Sequence, residues 1–551
     1  MRYYFPRIVF FLFLLTSCEE TLLKSDTIIY NATIWTGNAA QPTATSFAIK
    51  GDTIIAIGSN EEIAHYKDKT TQMIDAKGHL ITSGFIDAHV HLLMGGNSLL
   101  NVELRDAKTP AIFSERIAAF ASTLQKGSWI VEGNWDHTLW GGALPNKEWI
   151  DKDTKDNPVA IYRLDGHMIL ANSAALKIAG INQNTPDVVN GEIVRNLDGT
   201  PTGILKSEAM YLVLNKIPAL TAKVKKQAIV AAQNYLLSNG VTSIHDVDSL
   251  ESFSILKELH NEHLLKMRVY TANPLHQWEK ALRNKSLHPK WYKKGLLKGF
   301  VDGSLGSHTA AFKNPYSDKP TDKGIFTHSI KSLNDNALQA ASKDLQVTVH
   351  AIGDHANGAL LDMYQDLINK LGQKDSRYRV EHAQHLDKSD IQRFKELNII
   401  ASMQPYHAID DGRWAEALIG PERIKTTYAF NSLLKAGTKL AFGSDWPVAP
   451  ASPILGIYAA TTRRTLDDQN LDGWVPDEKI TVEQAMIAYT KNAAFSSFDE
   501  QIKGTLEVGK LADFVILNKN IFKIALHEIK EVSVIVTYVG GVKMYESELK
   551  N

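Results

Sequence analysis

The segment FIDAHVHLLMGG, residues 85–96, places His89 and His91 after a short apolar run and just before two glycines. In a β-strand, residues two positions apart point to the same side, so both imidazoles face one point in space. A metal ion is the ligand that this arrangement suggests. Two histidines do not complete a metal site, so further ligands are expected elsewhere in the chain.

Strand-like apolar runs alternate with helical stretches through the middle of the chain, which predicts an α/β fold with a (β/α)8 TIM-like barrel. The gap between the first two runs, about Leu92 to Asn239, is too long for one crossover and predicts an inserted subdomain at about residues 105–220. The eight runs are LITSGFIDAHVH (80–91), GVTSIHDV (240–247), KMRVYTANP (266–274), GLLKGFVDGS (295–304), LQVTVHAIGD (345–354), RYRVEHAQH (377–385), LNIIASMQP (397–405) and TKLAFGSDWP (438–447).

Ligand-type side chains stand at or just beyond the carboxyl ends of several of these runs. In a barrel those ends converge on one face, where catalysis takes place. A single histidine on an apolar strand is more often a hydrogen-bonded structural residue than a ligand. Five ligand-type positions and a lysine at equivalent ends of different strands favour a metal site instead. These residues are His89, His91, Lys298, His350, His382 and Asp445.

Both ends of the chain are rich in short strands. The segments TIIYNATIWTG (27–37) and SFAIKGDTIIAIG (46–58) are matched near the other end by ADFVILNK (512–519) and VSVIVTYVGGVKMYE (532–546). Their shared character predicts one small β-sandwich domain built from residues 26–78 and 503–548, beside the barrel domain at residues 79–502. The pairs Gly51-Asp52 and Gly540-Gly541 suit hairpin turns.

The first eighteen residues, MRYYFPRIVFFLFLLTSC, resemble an export signal. Two arginines precede an apolar run from Ile8 to Leu15, which is shorter than the roughly 20 residues that span a bilayer. LTSC resembles the lipobox of bacterial lipoproteins, which predicts lipidation of Cys18 and a membrane-anchored protein facing the periplasm or the cell surface. An ordinary signal peptide with an incidental cysteine is the alternative.

The composition argues against several other classes of protein. The 551 residues carry 60 basic and 61 acidic side chains with no dense basic cluster, so no nucleic-acid partner is expected. Cys18 is the one cysteine, which rules out an intrachain disulfide and leaves no thiolate for a metal. Neither a Walker-type phosphate loop nor a dinucleotide-binding glycine fingerprint is present.

The ordered motifs DAHVH, LKGFVDGS, VHAIGD, VEHAQ and FGSDWP resemble the signature of the metal-dependent amidohydrolase superfamily. LLKGFVDGSLGSHTAAF (296–312), MQPYHAIDD (403–411) and RLDGHMILANSAAL (163–176) are similar to its family 3 branch. The resemblance runs from about residue 26 to 548 and also implies a β-sandwich built from both chain ends. His308 stands where family 3 sequences typically have arginine, which leaves the ligand set intact but obscures the choice of substrate.

The resemblance implies a role for each ligand-type residue. His89, His91 and Asp445 would hold one divalent cation, and His350 and His382 a second. Zinc is the default because imidazole and carboxylate together suit it and no thiolate is available, and manganese, iron or cobalt would fit the same ligands. Lys298 would react with carbon dioxide to form a bridging carbamate; a simple ion pair with a carboxylate is the alternative. Water activated by the metal would attack a carbonyl carbon, while Asp445 acts as base and then as acid.

Candidate substrate contacts lie in the predicted insertion and in the loops after the strands. They are His167, Trp135, Gln404, His407 and Asp302. For His167 and Trp135 a structural role is the alternative, and Asp302 also suits a residue that orients the ligands.

The predicted function is hydrolysis of a non-peptide C–N bond in an amide, N-acyl or N-formyl compound. The alternatives are a cyclic amide hydrolase or deaminase on the same scaffold, or an inactive metal or ligand binder at the cell surface. A binder has no need of Asp445 or Lys298, and the chain has both. The sequence names neither the substrate nor the oligomeric state.

Overall fold

The structure is a computed structural model that describes residue 1 and residues 23–548, apart from residues 165, 167, 190, 248–251 and 283–287 and the side chain of residue 138. The predicted signal peptide, apart from residue 1, and with it Cys18 and the candidate contact His167, therefore lie outside the described residues. None of the helices in the described part of the chain is both long and apolar enough to cross a bilayer.

The strands of the described residues are numbered along the chain. They are β1 (Thr27–Tyr30), β2 (Thr33–Trp35), β3 (Thr43–Ala44), β4 (Ser46–Lys50), β5 (Thr53–Gly58), β6 (Gln72–Asp75), β7 (Leu80–Ser83), β8 (Phe85–Val90), β9 (Val102–Glu103), β10 (Ile130–Trp135), β11 (Val159–Arg163), β12 (Met168–Ala171), β13 (Gly191–Arg195), β14 (Pro201–Ser207), β15 (Val241–Asp246), β16 (Arg268–Pro274), β17 (Tyr292–Phe300), β18 (Gln346–Ala351), β19 (Arg379–His382), β20 (Ile400–Met403), β21 (Leu440–Phe442), β22 (Phe514–Leu517), β23 (Val534–Val539) and β24 (Val542–Glu546).

The α-helices are numbered in the same way. They are α1 (Asn60–Ala64), α2 (Leu92–Leu99), α3 (Pro110–Ser122), α4 (Ser173–Ala179), α5 (Tyr211–Leu214), α6 (Ala222–Ser238), α7 (Ser252–Asn261), α8 (Trp278–Leu282), α9 (Ile330–Ala341), α10 (Asp354–Leu371), α11 (Ile391–Glu396), α12 (Pro405–Asp411), α13 (Ala415–Arg423), α14 (Phe430–Lys435), α15 (Pro453–Thr462), α16 (Val482–Tyr489) and α17 (Lys491–Phe495), with α13 interrupted at Gly420.

Eight parallel strands form the central sheet, in the order β21-β20-β19-β18-β17-β16-β15-β8. Each predicted run supplies one of them, so the predicted TIM-like barrel is confirmed. The two edge strands meet just beyond their carboxyl ends, because the amide of Asp445 donates to the carbonyl of His89 and the amide of His91 donates to the carbonyl of Trp446, at 2.8 and 2.9 Å. These contacts nearly close the barrel.

The helix that precedes β15 illustrates why the chain folds this way locally. α6 begins after Thr221, whose side chain accepts a hydrogen bond from the amide of Val224, as N-cap threonines do. Its buried residues repeat at intervals of three and four positions and form one face that is apolar except for one glutamine; they are Ala228, Ile229, Ala232, Gln233, Leu236 and Leu237. That face packs into the main core cluster together with barrel residues.

The first predicted run contains two strands rather than one. β7 and β8 belong to different sheets and are separated by Gly84, whose amide donates to the carbonyl of Asp513 at 2.9 Å. A Cβ at Gly84 would come within 2.3 Å of the Thr242 side chain, so glycine is required for this close approach. The chain therefore passes directly from the terminal strands into the barrel.

Strands from both chain ends share one sheet, in the order β24-β23-β22-β7-β2-β3. A second sheet has the order β5-β4-β1-β6, and the chain makes hairpin turns at both Gly51-Asp52 and Gly540-Gly541. Residues of the two sheets pack in one core cluster, in which the rings of Phe47 and Phe514 are 5.0 Å apart in an edge-to-face arrangement.

A third sheet lies between the first two barrel strands in the sequence. Its order is β13-β14-β12-β11-β10-β9, and it spans residues 102–207. The exact bounds proposed above for the insertion and for the sandwich stay predictions.

Candidate metal centre

The near-closure of the barrel brings Asp445 to the two histidines of the first barrel strand. Asp445 Oδ1 lies 3.3 Å from His89 Nε2 and 3.2 Å from His91 Nε2. One ligand atom from each residue lies within 4.8 Å of the others, and we call these three residues the first donor group. Three protein ligands with room for water are typical of a catalytic zinc site.

His89 is held by a buried carboxylate. Its Nδ1 lies 2.5 Å from Glu381 Oε2, and both side chains are at most 1% exposed. Because an ionised carboxylate only accepts hydrogen bonds, Nδ1 carries the proton and Nε2 keeps its lone pair for a metal ion. Burial would raise the pKa of Glu381, but the charge of Arg379 and the contact with His89 hold it well below its usual range.

A second set of ligand atoms also includes Asp445. His382, His407 and Asp445 also offer atoms within 4.8 Å of one another, and we call them the second donor group. His382 Nδ1 lies 2.8 Å from Gln404 Oε1, which leaves His382 Nε2 for another partner. Burial and the neighbouring His350 lower the pKa of His382 well below its usual range, so the ring is a neutral ligand at ordinary pH.

His350 and Lys298 are close by on neighbouring strands, but His350 is in neither donor group. The His350 ring is 4.5 Å from that of His382 between centroids, and its Nε2 lies 2.9 Å from the carbonyl oxygen of Gly303. Burial, followed by the charge of Lys298, lowers the pKa of His350 to about 3. Lys298 itself is 5% exposed.

Two residues of the centre have strained backbones. His382 has a φ of +74° and Asp445 a φ of +62°, values that side chains other than glycine rarely adopt. Such strain persists where the surrounding structure fixes it, and it is concentrated at functional sites. Here it redirects both side chains toward the shared space at the mouth of the barrel.

Two of the predicted substrate contacts, Trp135 and Asp302, belong to neither donor group. Trp135 is fully buried in the core of the third sheet, and its indole donates to the carbonyl of Ile161 at 3.0 Å, so we describe it as a packing residue. Asp302 is 2% exposed and accepts from the amides of Ala311, Ile352 and Gly353. It braces the loops after β17 and β18, and burial raises its pKa to about 7.

Gln404 and His407 do reach the centre. Gln404 contacts the ligand-type residue His382, and His407 Nε2 lies 4.0 Å from Asp445 Oδ2. His308, the residue that departs from the family pattern, is away from both donor groups and its Nε2 lies 2.8 Å from Asp318 Oδ2.

The sequence analysis missed the polar side chains that support the centre from inside the barrel. Arg379 Nη2 lies 2.7 Å from Glu381 Oε1, and both side chains are fully buried. Asp87 Oδ1 accepts from the amides of His89 and Ser444, which ties β8 to the loop that carries Asp445. The sequence feature that could have indicated these supporting residues is a charged residue inside an apolar strand, because such a residue is rarely buried without a partner.

A family model described as "Amidohydrolase family" matches residues 72–545. The chain belongs to the amidohydrolase family. This amidohydrolase is 37% identical over 540 residues to Protein LONG AFTER FAR-RED 3 of Arabidopsis thaliana, with 95% of this chain and 92% of that protein covered. It is 27% identical over 550 residues to N-substituted formamide deformylase of Arthrobacter pascens, covering 95% and 98%.

A solved structure supports the same assignment. An uncharacterized metal-dependent hydrolase from Pyrococcus horikoshii superposes with a TM-score of 0.78 at 28% identity, covering 91% of this amidohydrolase and 99% of that chain. The amidohydrolase is therefore a metal-dependent hydrolase of a small molecule. Its donor groups supply the imidazole and carboxylate atoms that can hold a divalent ion.

Proposed function

We propose that the protein hydrolyses a non-peptide C–N bond in an N-acyl or N-formyl amine. The observation that carries the proposal is that two donor groups share the carboxylate of Asp445 at the mouth of the barrel. The similarity to a deformylase of N-substituted formamides along nearly the whole chain supports this class of substrate. A barrel mouth is also where enzymes of this architecture hold their substrates.

The residues present suit a divalent cation. Neutral imidazoles and a carboxylate are the donors that zinc, manganese and cobalt accept, and the buried Nε2 of His407 has no hydrogen-bond partner among the described residues. His89, His91 and Asp445 would hold one ion, with His350, His382 and Lys298 available for a second. Lys298 would contribute oxygen ligands after its neutral amine adds carbon dioxide and releases a proton. When bound, such an ion lowers the pKa of water toward neutrality and polarises a carbonyl oxygen.

Asp445 moves the proton in the proposed reaction. Burial opposes its ionisation, but His89 and the other histidines hold the pKa of its carboxyl well below the usual range, so it is a carboxylate at neutral pH. It accepts a proton from the attacking water and returns it to the departing nitrogen. Water adds to the carbonyl carbon, the C–N bond breaks, and the products are a carboxylic acid and an amine.

The test is release of amine by purified protein from a panel of N-formyl and N-acyl amines. We expect turnover to be lost after dialysis against a chelator and to return when zinc or manganese is added. If the protein opens only cyclic amides, or only deaminates amidines, the proposed substrate class is wrong and that compound class takes its place. A bound metal without turnover on any substrate would instead identify a binding protein.

We also propose that the protein is exported and anchored to a membrane through a lipid on Cys18, as a bacterial lipoprotein. The support is the sequence LTSC after an apolar run that is too short to span a bilayer. Full-length protein expressed in bacteria should incorporate labelled palmitate and sediment with membranes, whereas Cys18→Ala should do neither. Label retained in that variant would overturn the anchor.

A further inference from the structure

A groove lies between the barrel and the third sheet, and we call it the side groove. It is lined on one side by α6, on the other by the end of α3 and the segment around Trp129, and also by the end of α2. Its volume is about 1020 Å³. Small-molecule sites of this size occur preferentially at interfaces between domains. Among the described residues that line the groove, none belongs to either donor group, so it is separate from the metal centre.

α6 presents a second stripe of side chains to the side groove, apart from its fully buried face. The residues of this stripe recur at intervals of three and four positions; they are Val224, Gln227, Val230, Ala231 and Asn234. The three apolar side chains among them are half-buried. Because the outer face of a surface helix is normally charged or polar, this stripe favours a face that binds another molecule.

The opposite wall of the side groove is apolar as well. Phe120 and Leu124 pack against the core of the third sheet and also line the groove. Trp129 lines the groove beside a neighbouring core cluster, and Leu100 at the end of α2 is 37% exposed. Facing apolar walls of this extent favour the binding of an apolar group.

The charged side chains of the side groove are cationic. Among the described residues that line it, the charged ones are Lys223 and Lys226. Both lie near the start of α6, where the first turn has no acidic residue and the helix dipole adds positive potential. Lys226 forms an ion pair with Glu262, whereas Lys223 is exposed. This end of the groove therefore attracts an anion.

We propose that the side groove binds an alkyl carboxylate of about ten carbons, a ligand site apart from the proposed function. The carboxylate lies beside Lys223, and the alkyl chain lies between the stripe of α6 and Trp129. The eight residues from Lys223 to Ala231 advance about 12 Å along the helix, which is close to the length of an extended ten-carbon chain. The charge at one end and the apolar walls match the two parts of such a ligand.

Isothermal titration of the purified, metal-loaded protein with sodium decanoate, below the concentration at which it forms micelles, tests the inference. Excess acetate in the buffer occupies carboxylate-binding positions at the metal centre. We expect one equivalent of decanoate to bind. Octanoate should bind about 10-fold more weakly, because each buried methylene group raises the affinity up to about 4-fold. Decyltrimethylammonium has the same chain and the opposite charge, and it should bind at least about 5-fold more weakly.

Two variants locate the binding site. Ala231→Trp places an indole in the groove and should weaken decanoate by at least about 10-fold, the effect of excluding two methylene groups. Lys223→Glu should weaken decanoate by about 5-fold and strengthen the binding of decyltrimethylammonium. Lys257→Glu is the matched control, because Lys257 is an exposed lysine on α7 that does not line the groove. Its affinities should equal those of the wild type, and thermal melts show whether each variant folds.

Wild-type protein that binds no decanoate, or that binds the cation as tightly, would overturn the inference. Decanoate affinity that is unchanged in both groove variants, or weakened equally by Lys257→Glu, would also overturn it. Sedimentation tests the remaining occupant: a dimer that Ala231→Trp dissociates would mean that a second copy of the chain covers the groove instead. None of these measurements uses turnover, so failure of the proposed function would leave this inference standing.

Discussion

Asp445→Asn retains the fold and lowers kcat by at least about 100- to 10,000-fold, the usual contribution of a general acid and base. Asparagine has nearly the same shape, so it still fits between the histidines. It lacks the negative charge that faces His89, His91 and His407, and it cannot take a proton from water. Asp445 is the one residue that belongs to both donor groups, so no other single substitution in the centre should cost as much turnover.

Steady-state kinetics on the best substrate of the panel, with the metal content of each preparation, measure this loss. Asp318→Asn is the matched control, because Asp318 also pairs with a histidine but lies outside the centre. It should leave kcat within a few-fold of the wild type. Turnover of Asp445→Asn close to that of the control, with metal bound, would refute the assigned role.

Glu381→Gln lowers the free energy of unfolding by about 3–5 kcal/mol, the cost of breaking a fully buried ion pair. Gln keeps the volume but leaves the charge of Arg379 uncompensated where both side chains are fully buried. It also removes the carboxylate that fixes the tautomer of His89. We therefore expect a second effect, a loss of metal affinity of about 10–100-fold.

Denaturant unfolding of the apo protein reports the first effect and metal titration the second. Glu192→Gln is the same change at an exposed ion pair with Lys206, where the carboxylate is 55% exposed. Such a pair contributes about 0–1 kcal/mol, so this control should unfold almost as the wild type does. A Glu381 variant as stable as the control would mean that the buried pair contributes nothing to folding.

The barrel and the approximate location of the metal centre were predictable from the sequence for one physical reason. Parallel strands present their carboxyl ends on one face, so ligand-type residues at those ends must meet. The eight runs were long and apolar enough to be recognised one by one. The division of the first run into β7 and β8 was not, because it depends on Thr242 packing against Gly84 in the folded chain.

The buried side chains that support the metal centre could not be predicted from the sequence. Strand alternation places Arg379 and Glu381 on one side of β19 and would send His382 to the other. The left-handed backbone at His382 brings that ring to the same centre, and no propensity rule predicts a positive φ at a histidine. The role of Trp135 could not be decided from the sequence either, because a buried tryptophan and one that lines a pocket have the same sequence signal.

Because both chain ends contribute strands to one sheet, the strand next to the metal centre is fully paired only after the end of the chain has been synthesised. β7 lies between β2 and β22 and leads through Gly84 into the strand that carries His89. During translation β7 leaves the ribosome with one edge bare, and β22 is made only after every ligand-type residue has emerged. Unpaired edges invite aggregation and leave backbone groups unsatisfied. A chain truncated before β22 would therefore contain every ligand-type residue but would lack the strand that pairs with the free edge of β7.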